Sequence, residues 1–119
     1  MSPGTPEYLN NASWARAISN LQLDTAPDLC NAAVKGAPNS AHILESRAFV
    51  ELRLGQYDAA ITDYDAALAK APTLSPSLYG RGIAKLRKGM TAEGNADLVA
   101  ALALFKTIDD TFKGYGVTP

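Results

Sequence analysis

The sequence predicts an all-α fold, three helix-turn-helix units followed by a short capping helix, and three observations carry that expectation. Apolar and small residues recur at helical spacing, as in Ala60, Tyr64, Ala67, Leu68 and Ala71 along one face. Prolines 38 and 72 stand 34 residues apart, each just past an alanine-rich run. The same 34-residue offset links Ala26, Ala60 and Gly94; Cys30, Tyr64 and Leu98; Ala33, Ala67 and Ala101; and Val34, Leu68 and Leu102.

In chain order, the opening "MSPGTPEYLN" (residues 1–5 and the start of the first helix) has the proline and glycine content of a linker leading into a helix. It lacks the basic and apolar regions of a signal peptide, and the chain is expected to be part of something longer. The first unit, residues 6–38, departs most from the pattern. Trp14 occupies the column of Ala48 and Gly82, and "NLQL" stands where the other units have a glycine turn. Asp24 is expected to cap its second helix, with Pro27 in the first turn, where a missing N–H costs nothing.

The second unit, residues 39–72, is the most regular. "AHILESRAFVELRLG" places Leu44, Ala48, Phe49 and Leu52 at helical spacing and stops at Gly55. "LGQY" then turns the chain into the helix of Ala60 and Tyr64. In the third unit, residues 73–106, Ser75 before Pro76 and Thr91 are the expected caps of its two helices. Thr107 with Asp110 opens a final short helix ending near Gly114, within the segment 107–119. Its Ile108, Phe112 and Tyr115 are expected to cover the last apolar face.

A 34-residue helix-turn-helix period resembles the tetratricopeptide repeat family from about Tyr8 to Phe105. The middle unit carries the likeness best, with Ala48, Gly55, Tyr57, Ala60, Tyr64, Ala67 and Pro72 at the family's positions. The third departs at Thr91 and Lys106. The resemblance implies a right-handed superhelix whose inner helices line a concave surface for a peptide or partner protein. A spacer or oligomerisation unit within a larger protein, exported or not, is the alternative. "SLYGRGIAKLRKG" and "YGVTP" also resemble the C-terminal repeats of bacterial proteins of this family, which suggests a cytoplasmic or periplasmic setting.

Composition narrows the function further. The chain has 119 residues, 47% hydrophobic, with a formal net charge of −1, so nothing global draws it to nucleic acid or acidic membrane. No apolar run is long enough to span a bilayer. The single cysteine, Cys30, forms no internal disulfide and reads as an inert core thiol. His42 and Glu45 share a helical face, yet two ligands make a poor metal site, and no catalytic residues, metal or cofactor are expected. In "DYD", residues 63–65, the two carboxylates diverge, which predicts a solvated face around Tyr64. The basic cluster Arg81, Lys85, Arg87 and Lys88 is expected to pair with Asp58, Asp63 or Asp65 rather than to bind nucleic acid.

For the groove, Asn11, Ala15 and Ile18 align with Glu45, Phe49 and Leu52, and these with Tyr79, Ile83 and Leu86, each set at i, i+4, i+7. Together with His42, this face is expected to grip an apolar or aromatic segment, with Arg53 and Arg87 at its rim reading a nearby acid. The family's carboxylate clamp for chaperone tails would fall on Asn11, Ala15, Ser46, Pro76 and Gly80, which include no cation, so that ligand is not expected.

Overall fold

In the computed structural model, which describes residues 4–119, the backbone forms seven α-helices and no strand among the described residues. The helices are α1 (Pro6–Ser19), α2 (Ala26–Gly36), α3 (Ala41–Arg53), α4 (Tyr57–Lys70), α5 (Ser75–Arg87), α6 (Thr91–Leu104) and α7 (Ile108–Tyr115). The residues of the linker-like opening before Gly4 lie outside the described ones. α1 pairs with α2, α3 with α4 and α5 with α6, and the three hairpins stack so that α3 also touches α1 and α5.

Sequence chemistry explains where the helices stop. α3 and α5 end at glycines in the left-handed region, Gly55 (φ 75°) and Gly89 (φ 83°), a conformation that costs a residue with Cβ. The turn is closed by Gln56 N–H on Glu51 O at 2.8 Å, and 34 residues later by Met90 N–H on Lys85 O at 2.9 Å. The first hairpin has no such glycine. Its joint is longer, contains the short 3-10 turn Leu23–Thr25, and puts Asn20 and Gln22 at positive φ. α1 consequently begins 35 residues before α3, one more than the period.

Three expected caps are corrected. Thr25, Leu74 and Met90 hold the cap positions of α2, α5 and α6, while Asp24 lies within the 3-10 turn and Ser75 and Thr91 are already helical. The tight turn after α5 carries Met90 straight into the next helix, where its carbonyl accepts from Gly94 N–H at 2.9 Å. Pro27 and Pro76 do occupy first turns. α7 starts after Thr107, which makes no side-chain cap bond, and runs to Tyr115 before the left-handed Gly116.

Small residues set the helix crossings. Ala48 and Ala60 are fully buried where α3 meets α4. At the equivalent place in α5 and α6, a Cβ on Gly82 would stand 2.9 Å from the backbone oxygen of Gly94, so glycine is required for that approach. Tyr64, 1% exposed, lays its hydroxyl over Gly80 of the next hairpin. Cys30 is buried, and burial pushes its thiol up to about 11.

A ladder of charge pairs accompanies the small-residue columns. Arg47 forks onto Asp63 (Nε to Oδ2 2.7 Å, Nη2 to Oδ1 2.8 Å), and Arg81 forks onto Asp97 at 2.8 Å twice. Arg81 also reaches Asp65, Lys85 pairs with Asp97, and Lys88 with Asp58. Arg81, Lys85 and Lys88 of the basic cluster therefore do turn to acids, with Asp97 in place of Asp63, while Arg87 donates to the Thr118 carbonyl instead. Asp63 is not solvated as "DYD" suggested: it is 6% exposed, because Arg47 claims it for the hairpin interior.

Candidate functional site

The first helices of the three hairpins, α1, α3 and α5, bring Trp14, Phe49 and Tyr79 to one face, and α7 lies against it. Phe49, Leu52, Tyr79 and Ile83 are each at most 5% exposed. Phe112 packs on Tyr79 (ring centroids 4.8 Å apart) and Phe49 (5.8 Å), and Tyr115 on Phe49 (5.5 Å) and Trp14 (5.7 Å). The amphipathic pattern of Ile108, Phe112 and Tyr115 thus packs against the last hairpin, as expected, and also reaches aromatics of the first two.

Arg53 and Arg87 meet main-chain carbonyls in this arrangement. Arg53 donates to Ala17 O at 2.9 Å, to Ile18 O at 3.4 Å and to Tyr115 O, the C-terminal end of α7. Arg87 donates to Thr118 O at 3.0 Å. Beside them Leu52, Tyr57 and Ile83 join Gly116, Val117 and Thr118 around a small pocket of about 220 Å³. Leu86 points to α6, where it limits the space at Gly94.

The one-residue slip of α1 changes which of its residues face the groove. Asn11 is exposed, and Ile18 packs at the edge of the core. Asn10 and Trp14 line the pocket beside α3 instead, Trp14 against Phe49 at 5.1 Å, and the fully buried Ser13 takes the tight-packing place. The sequence signal for this was the missing glycine in "NLQL", which frees the register of the helix before it.

Beside the end of α7, Asn10, Trp14, His42, Glu45 and Ser46 line an open pocket of about 180 Å³. Glu45 Oε2 accepts from Ser77 Oγ at 2.6 Å. Burial raises the Glu45 carboxyl above its ordinary range, against the opposing pull of Ser77 and His42. Among the described residues no three His, Cys, Asp or Glu side chains converge as metal ligands, and no helix is long and apolar enough to cross a membrane.

Stacked helical hairpins at a 34-residue period, closed by a final helix, make this the fold of a tetratricopeptide repeat domain. Among solved structures, the first TPR domain of the human RPAP3 protein, determined by NMR, is similar with a TM-score of 0.79. The match covers 97% of this chain and 92% of that one at 18% identity. No family model matches the sequence, and no curated protein does.

Proposed function

We propose that the chain is a protein-interaction module, with repeats over 6–106, that takes a peptide or partner protein on its concave face. The observation that carries this is α7 itself: the face is shaped for an aromatic, amphipathic segment and already holds one. Fold alone assigns no partner, so the reading rests on that face. Phe49 and Ile83 are core residues while α7 is in place, which leaves the margin around His42 and Glu45 as the open part of the groove. The role needs no catalytic group or cofactor. The likeness of "SLYGRGIAKLRKG" and "YGVTP" to bacterial repeat proteins supports a bacterial source, cytoplasmic or periplasmic.

A photo-crosslinking residue placed at His42, compared with one at Val99 on the far side of α6, tests the reading in extract of the source cells. Adducts from position 42 are expected. Adducts from position 99 alone would overturn it. An acidic chaperone-tail peptide is expected to show no submillimolar binding in a fluorescence titration, since Glu45 would repel it.

A second reading, a spacer or oligomerisation unit in a larger protein, is favoured by Val99, Leu104 and Phe105, which are 67%, 49% and 48% exposed on and just after α6. Light scattering across a concentration series separates the two, because self-association through that face would raise the mass.

A further inference from the structure

The pocket between α1 and α3 has a chemistry that its neighbours do not complete. Asn10 Oδ1 is enclosed and has no hydrogen-bond partner, an arrangement that costs free energy unless a donor fills the space. Glu45 accepts a hydrogen bond from the Ser77 hydroxyl and has His42 nearby, but among the described residues it has no ion pair, unlike Asp63 and Asp97 at the hairpin interfaces. The indole of Trp14 forms another wall, and an aromatic face attracts a cation. Neither lysine nor arginine lines the pocket. Its volume of about 180 Å³ exceeds that of several waters at ~30 Å³ each.

We propose that the pocket of Asn10, Trp14, His42, Glu45 and Ser46 is a subsite for the cationic head of a lysine or arginine side chain on the bound peptide. The ammonium or guanidinium donates to the Glu45 carboxylate, lies against Trp14 and takes the unpaired Asn10 Oδ1 once that amide turns into the pocket, while Ser77 keeps holding Glu45 from behind. Buried without a cation, the Glu45 carboxyl is raised above its ordinary range, and the arriving charge offsets what burial costs it. The sign of this subsite is opposite to that of a carboxylate clamp. The subsite rests on the reading of the concave face as the partner surface and gives the partner a chemistry: a basic residue beside the end of α7, where Tyr115 meets Trp14.

Trp14 is the sole tryptophan of the chain, so its fluorescence reports on the pocket directly. The intact protein is titrated through the millimolar range with the acetylated, amidated single residues of lysine, arginine, norleucine and glutamate. Side-chain amide NMR signals of Asn10 are followed in parallel. Lysine and arginine amides are expected to give saturable changes in both signals, norleucine and glutamate amides none, and Glu45→Gln to weaken the response roughly tenfold. Asn10→Ala provides a second variant that leaves the Glu45–Ser77 contact in place, with helicity of both variants checked by circular dichroism. Absence of saturation with both cations overturns the proposal. Equal saturation by norleucine, saturation by glutamate, or full binding retained in both folded variants does so too. Because the single-residue probes do not need a peptide to enter the groove, a positive titration with crosslinks only from Val99 would sink the groove reading alone, and the reverse result would sink the subsite alone.

Discussion

The second and third hairpins repeat one design at a 34-residue offset, and beside their shared arginine–aspartate fork they differ in the sign of one charge. Arg47 and Asp63 in one become Arg81 and Asp97 in the other, with matching forked geometry. The residue one turn after the arginine is Glu51 in the second hairpin and Lys85 in the third. Lys85 adds a second cation to Asp97 at 2.9 Å. Glu51 instead sets a second carboxyl beside Asp63, with Oε1 enclosed and no donor reaching it. Burial and the Asp63 carboxylate hold the Glu51 proton on, up to about 8, while Arg47 keeps Asp63 ionised. Periodicity thus transmits backbone and packing more faithfully than charge.

The largest way to break the equivalence lies at the helix crossings. Gly82→Ala forces a Cβ to 2.9 Å from the Gly94 carbonyl and should cost about 2 kcal/mol, or roughly 10 °C in Tm. Gly94→Ala should cost a similar amount, because its Cβ would stand 2.9 Å from the Gly82 carbonyl and 2.8 Å from Leu86. At the matching crossing in the second hairpin, alanine is already present at both positions. A thermal melt in which Gly82→Ala is neutral would mean that the third hairpin has slack to separate.

Next come the forks. Asp97→Asn leaves two cations under-paired and is expected to cost about 2 kcal/mol, while Asp63→Asn, which also relieves Glu51, should cost about half of that. Urea unfolding of the two variants gives the ratio, and equal costs would show that position 51 has no influence on the fork.

The smallest effect sharpens the contrast through pH. The folded protein keeps a Glu51 proton that the unfolded chain releases above its ordinary 4.5, so this contribution is complete below that value and is lost as pH rises toward about 8. Tm should therefore be lower at pH 8 than at pH 5. Glu51→Gln should flatten that slope and raise Tm by a few degrees at pH 8 only. Glu45 adds a slope of the same sign, so some remains in the variant. A slope unchanged by Glu51→Gln would place the proton elsewhere.

The helices and their pairing were legible because one offset governs Ala60, Tyr64, Ala67 and their partners, and because Gly55 and Gly89 mark turns that need left-handed backbone. Caps were read one residue late at Ser75 and Thr91, since a serine or threonine at a helix start looks the same whether it caps the helix or opens it. The Arg47 and Asp63 columns were present in the sequence at the same offset but carried no apolar signal. The side of α1 that faces the groove depended on the length of the "NLQL" joint, which no period fixes. Where α7 would settle was least legible of all. Its own face is plainly amphipathic, but the aromatics that receive it lie up to a hundred residues away in sequence.

That resting place changes how the molecule should come apart. A linear array of repeats is held by neighbour-to-neighbour contacts, and such arrays can fray from an end one unit at a time. Tyr115 against Trp14, and Arg53 on the Tyr115 carbonyl, tie the last segment of the chain to the first two hairpins. The array is in effect latched into a closed loop, so loosening either terminus weakens the other, and the chain is expected to unfold as one cooperative unit. The latch closes late in sequence, which raises the separation between contacting residues and slows folding relative to an open stack of the same length.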